Sequence, residues 1–153
     1  MMNSFGNKII SNKISKCRVC SSKDVVEILD LGVHALANSL KSKLNEIEYK
    51  SPLILVLCNN CEVAQLSENV DPKIMFSNYL WVTGTSKSTI NYSNEFYKNS
   101  INILNKKPKK VLEIASNDGT FLKPFKENNS QVFGIDPAKN ISEIANNKNI
   151  KTY

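Results

Sequence analysis

Cys17-Arg18-Val19-Cys20 and Cys58-Asn59-Asn60-Cys61 are two C-x-x-C pairs separated by 37 residues, and together they use every cysteine in the chain. A C-x-x-C turn sets two thiolates on one side of a metal ion, and two such turns complete a tetrahedral four-sulfur site. With all four positions filled by protein, the ion would be a structural zinc rather than a catalytic one. The same residues could form two disulfides or a thioredoxin-like redox pair. Disulfides are disfavoured by a reducing compartment, and a redox pair by the presence of two motifs with no βαβ pattern flanking either. His34, the single histidine, stays off the ligand set because four cysteines already saturate zinc.

A second group of residues with chemical potential lies near the C-terminus. Glu113 sits in the apolar run Val111–Ala115, the turn Ser116-Asn117-Asp118-Gly119-Thr120 follows, and Asp136 ends a second apolar run, Gln131–Asp136. In a parallel sheet, ligands bind at the carboxyl ends of the strands, so Asp136 is placed to accept hydrogen bonds from both hydroxyls of a ribose. A helix starting near Gly119 would offer N–H groups to a carboxylate or phosphate. A dinucleotide fingerprint needs G-x-G-x-x-G and this turn has one glycine, so phosphate binding is the weaker choice. An acid at Glu113 would repel a pyrophosphate but suits the cationic methionine end of S-adenosylmethionine. The alternative is a structural βα turn of some other α/β protein.

The elements that must position these groups follow from pattern. Val25–Leu31 and Leu53–Leu57 read as strands of a small β-rich module, the first broken by Gly32. His34–Leu40 reads as a loop or short helix, and Lys41–Lys50 as a polar connection ending at Ser51-Pro52. Asp71–Tyr79 fits a short helix, and Ser86 caps a helix running to about Asn105 with Ile90, Phe96, Tyr97, Ile101 and Leu104 toward one broad face. The lysine-rich stretch Lys106–Lys110 reads as a solvated interdomain connection. Beyond it the pattern is strand, turn, helix, strand, helix, with Pro124 in the first turn of the first helix and Asn140–Asn147 forming the second.

Composition sets the outer limits. At 153 residues, 41% hydrophobic and 22% charged with 5 Gly and 5 Pro, the chain is neither low-complexity nor collagen-like. No apolar run reaches the 18 or so residues of a membrane helix, and the N-terminal stretch MMNSFGNKIISNK lacks the apolar core of a secretory signal. A cytoplasmic protein with no membrane partner is therefore expected. The net charge is +6, but Arg18 is the sole arginine among 20 basic residues, so nucleic acid is not expected as a partner.

The first cysteine pair, Leu36-Ala37-Asn38-Ser39, the second cysteine pair, Val111-Leu112-Glu113-Ile114-Ala115-Ser116-Asn117-Asp118-Gly119-Thr120-Phe121-Leu122 and Gly134-Ile135-Asp136-Pro137-Ala138 occur in that order. This arrangement resembles the zinc-containing sugar C-methyltransferases that act on nucleotide-linked 4-keto-deoxysugars, from about Cys17 to Tyr153. The resemblance implies an α/β organisation: a zinc-binding module at 15–72, a helical connection at 73–107, and at 108–153 the first β-α-β-α half of a Rossmann-like methyltransferase domain, truncated. It implies zinc on Cys17, Cys20, Cys58 and Cys61, and S-adenosylmethionine on Glu113, Ala115, Ser116, Asn117, Asp118 and Gly119, with Asp136 on the ribose. Tyr79 falls where the family places a tyrosine near the active site, as acid, base or sugar contact, beside the alternative of a packed aromatic.

There are departures. Ala115 replaces a common loop glycine, Trp81 a second tyrosine, and His34-Ala35 a proline-containing pair. Family members also continue well past this length, so the chain reads as an incomplete N-terminal portion, with most residues for proton abstraction and sugar-nucleotide binding further on. The partners implied are a nucleotide sugar and a second chain or protein completing the half-sheet. The alternatives are a noncatalytic zinc module for a protein or nucleic-acid partner, carrying a vestigial half-fold, and a methyltransferase of O- or N-acceptors.

Overall fold

The computed structural model describes residues 7–153; part of the N-terminal stretch read against a secretory signal lies outside them. The described chain divides into two compact units, one ending at Met75 and the other running from Phe76 to Tyr153. None of the described helices is long and apolar enough to cross a membrane.

The first unit is built on β4 (Glu48–Cys58), whose Leu53–Leu57 run favours an extended backbone. Along one edge it pairs antiparallel with β3 (Val25–Ala35). Its other edge takes β1 (Asn7–Ile9), parallel, against Glu48–Lys50 and β5 (Ala64–Leu66), antiparallel, against Leu55–Leu57. A small antiparallel pair, β2 (Ser11–Lys13) with β6 (Glu68–Val70), and a short helix, α1 (Pro72–Phe76), complete the elements.

Two expectations for this unit are corrected. Gly32 does not end the first strand: β3 runs on to Ala35, with a register slip between Asp30 and Val33. Gly32 sits at φ +84° and donates its N–H to Asp30 Oδ1 at 2.7 Å, so the strand bulges there and carries on. Correspondingly, Ser51-Pro52 lies inside β4, opposite His34 and Val33, where the slipped ladder tolerates a residue without an N–H. Of the loop or short helix expected over His34–Leu40, residues 36–40 form the loop, while His34 and Ala35 belong to β3.

In the second unit, α2 (Lys87–Leu104) begins as expected. Ser86 caps it, its hydroxyl accepting the Thr89 N–H at 3.4 Å, and Asn105 ends it in the left-handed conformation at φ 49°. Lys106–Lys109 then joins α2 to β7 (Lys110–Ile114) within this one unit. β7 pairs parallel with β8 (Gln131–Ile135), with α3 (Lys123–Glu127) between them in sequence and α4 (Lys139–Asn147) after, and Thr152 bridges to Gly134 in the same parallel sense. The buried core joins Leu122, Phe125, Val132, Ala145 and Ile150, with Tyr97 and Val111 packed against it. Tyr97 stands edge-on to Phe125 at 5.0 Å, which is how α2 docks onto the strand–helix–strand segment.

Candidate functional site

The two cysteine turns repeat one local geometry. In the first, Cys17 N–H donates to the Ser22 carbonyl, Ser21 N–H returns to the Cys17 carbonyl, and Ser21 adopts φ 62°. In the second, Cys58 N–H donates to Val63, Glu62 N–H returns to Cys58, and Glu62 adopts φ 60°. Each turn thus reverses the chain just after its second cysteine and aims both sulfurs inward. Asn59 ties the turns together, its N–H and side-chain amide meeting Asp24 at 3.0 and 2.9 Å.

All four sulfurs lie within 4.8 Å of one another, with Cys17–Cys61 at 3.7 Å and Cys20–Cys58 at 3.5 Å. A tetrahedral zinc with bonds of about 2.3 Å requires sulfurs about 3.8 Å apart, so the set fits that ion. The four thiols are free rather than paired as disulfides. The Cys20 backbone, then the Val19 N–H and the Gln65 amide, hold the Cys17 thiol down to about 6. At Cys61 the Val63 N–H pulls downward, but burial and the three neighbouring sulfurs outweigh it and push the thiol up to about 12. Thiols this close cannot all ionise together without a cation, which is what a divalent ion supplies.

The second cluster stands at the carboxyl ends of β7 and β8. Asp136 follows β8 directly, and its two carboxylate oxygens accept the Asn117 and Ala138 N–H groups at 2.8 and 2.9 Å. Those bonds fix its orientation and leave lone pairs on both oxygens. Asp118 is fully buried, and Lys148 Nζ meets it at 2.6 Å. Burial would raise the Asp118 carboxyl, but Lys148 and the Thr120 hydroxyl and N–H hold it below the usual range. Glu113 is pushed up to about 7, by burial first and then by Asp118 and Asp136. Glu113 Oε2 and Ser116 Oγ are buried with no hydrogen-bond partner among the described residues.

The turn itself differs from the expected anion cradle. The helix starts at Lys123, not near Gly119, and four N–H groups around its start are already used: Gly119 donates to Ser116, Thr120 to Asp118 Oδ1, and Leu122 and Lys123 to Gly119. This end of the sheet also gathers three acidic side chains, Glu113, Asp118 and Asp136. Ala115 adopts φ 59°, a left-handed conformation that explains why glycine would suit the position. Gly119 itself is at φ +77°, and a Cβ there would meet the Ile150 side chain at 2.7 Å.

Tyr79 is half-buried beside Phe76 at 6.2 Å. Two side-chain amides fasten its segment to the strand ends. Asn140 brackets the Tyr79 backbone, accepting its N–H at 3.1 Å and donating to its carbonyl at 2.7 Å. Asn117 accepts the Thr83 N–H at 2.9 Å and donates to the Trp81 carbonyl at 3.0 Å. The side chain of Asn117, expected at a cofactor, is thereby used to hold this segment. Asn140 and Lys148 were missed by pattern reading, since a surface-like polar residue in a helix turn carries no signal of what it will meet.

Residues 17–76 match the family described as "Putative zinc binding domain". The chain is also 27% identical over 146 residues, 94% of its length, to the C-methyltransferase NovU of Streptomyces niveus. It spans about a third of that protein, 35% of its length. The resemblance to zinc-containing C-methyltransferases, in their N-terminal portion, is borne out, and with it the zinc-binding module.

Proposed function

We propose that this chain is the N-terminal part of an S-adenosylmethionine-dependent C-methyltransferase acting on a nucleotide-linked 4-keto-deoxysugar, with zinc holding its first unit together. The observation that carries the reading is the acid cluster at the ends of two parallel strands. Asp136 is oriented by two backbone N–H groups with lone pairs to spare for a diol, and the half-buried Glu113 nearby has its Oε2 buried without a hydrogen-bond partner among the described residues. Such a pair favours a ligand with a ribose at one end and a cationic amine at the other. The bound cofactor would supply an electrophilic methyl group. The chain's own work is alignment: Asp136 would grip the ribose, Glu113 would face the ammonium, and Asn117 and Asn140 would hold Tyr79 at the acceptor's side. The acceptor would react as the enolate formed when a base removes the proton beside its ketone.

The strand pair supports membership of a larger, Rossmann-like sheet. Leu112 and Ile114 on β7 are 59% and 76% exposed, whereas parallel strands are normally covered on both faces. A second chain or further sequence covering them fits this reading. The test is calorimetric titration with S-adenosylmethionine. Asp136→Ala is expected to weaken binding by about 1–3 kcal/mol, the loss of a hydrogen bond to a charged acceptor. Equal binding by wild type and variant would remove the cofactor site from Asp136. Transfer of a labelled methyl group to a keto sugar nucleotide by the full-length protein then tests the acceptor.

A further inference from the structure

The metal centre has a support that neither the zinc reading nor the family match assigns. Gln65, on β5, donates its side-chain amide to Cys17 Sγ at 3.2 Å. Its carbonyl oxygen is held from the other side by Arg18, through the backbone N–H at 3.1 Å and Nη1 at 3.3 Å. Arg18 lies inside the first cysteine turn, and its guanidinium spends its remaining donors on the same neighbourhood. Nη1 meets the Leu66 carbonyl at 2.6 Å, Nη2 the Glu68 carbonyl at 3.1 Å, and Nε the Asn69 side chain at 3.1 Å. This is the chain's sole arginine, and only a planar fork could serve so many acceptors at once.

We propose that Gln65 and Arg18 form an outer brace of the zinc site, with Gln65 positioning Cys17 and Arg18 positioning Gln65. Four thiolates around a divalent ion leave a net negative cluster, and an N–H donor to sulfur draws charge off the ligand while fixing its direction. Arg18 adds a positive charge within the same turn. The brace also ties the first cysteine turn to β5 and β6, the segment that follows the second turn, so binding the ion and closing this part of the fold become one event.

The test uses the full chain, loaded with zinc for competition against a chromophoric chelator and with cobalt for its thiolate-to-metal charge-transfer band. Gln65→Glu, studied at about pH 8 where a carboxyl is ionised, keeps the acceptor for Arg18 but removes the donor to sulfur. It is expected to bind zinc about 10- to 100-fold more weakly and to move the cobalt band to lower energy. Gln65→Leu is expected to shift the band in the same direction, and Arg18→Lys to weaken zinc by less, nearer the lower end of about 10-fold. A Gln65→Glu protein with affinity within about twofold of wild type and an unmoved band overturns the proposal, even if its melting temperature falls. If Gln65→Leu does not fold, Gln65→Glu decides alone. The inference rests on the four-cysteine zinc site, and a wild-type chain that takes up neither metal overturns that site as well. A failed brace is told apart from this by wild-type and variant chains that bind equally.

Discussion

The two units hold themselves together by different means. In the first, the fully or nearly fully buried apolar residues among those described are Cys17, Val56 and Cys58, two of them metal ligands, while Val26, Ile28, Leu29, Leu31 and Val33 of β3 stand exposed. In the second, Leu122, Phe125, Val132, Ala138, Ile141, Ala145 and Ile150 are buried around a strand–helix–strand core. The most buried side chains of the first unit therefore gather at the cysteine cluster, and those of the second in an apolar core. The same contrast separates their sites. Four crowded sulfurs present a geometry that suits a cation, whereas the carboxylate cluster is partly neutralised by Lys148.

Removing the metal is the largest perturbation that can break this comparison. Structural zinc contributes about 10–16 kcal/mol in small modules, as much as the whole stability of a typical domain. A strong chelator is expected to abolish amide hydrogen-exchange protection from about Lys16 to Val70 while Ile141 and Ala145 stay protected. Protection that survives in the first unit would mean that its sheet stands without the ion. The converse change is Leu122→Ala, at a side chain 1% exposed. It should cost about 2–5 kcal/mol, read from denaturant unfolding, with zinc content unchanged.

Smaller effects sharpen the picture of the second site. Ala115→Gly relieves a left-handed alanine costing about 1–2 kcal/mol, less the backbone freedom of about 0.5–1 kcal/mol that glycine must lose on folding. A net gain of about 0.5 kcal/mol in the same unfolding assay is expected, and a loss would show that the methyl group packs usefully. Glu113 titrates from its usual 4.5 up to about 7 in the folded chain. Between those values the folded state holds more protons than the unfolded one, so this group's contribution to stability is full below about 4.5 and lost as pH rises to about 7. Glu113→Gln should flatten that fall in melting temperature; an unchanged pH profile would place the carboxyl in a solvated setting.

Much of the arrangement could be read in advance because it is local. The Ser86 cap, the α2 period, the β7 and β8 apolar runs and the two C-x-x-C turns all declare themselves within a few residues, since capping, periodicity and turn chemistry act over that range. What pattern missed was set by partners distant in sequence. β1, β2, β5 and β6 are three residues each, too short to carry a period, and exist only because β4 and one another supply hydrogen bonds. Gly32 reads as a stop in isolation but becomes a bulge when β4 continues the ladder past it.

The sequence by itself determined the four metal ligands and the order of strand, turn and acid that ends at Asp136, because those depend on spacing along the chain. The tertiary structure decided which polar side chains serve those groups: Lys148 on Asp118, Asn117 and Asn140 on the Tyr79 segment, and Gln65 and Arg18 on Cys17. Each of these is a hydrogen bond or ion pair between residues at least 30 positions apart in the chain or handed on through one that is, and a directional contact of about 3 Å is fixed only once packing has brought both partners to it.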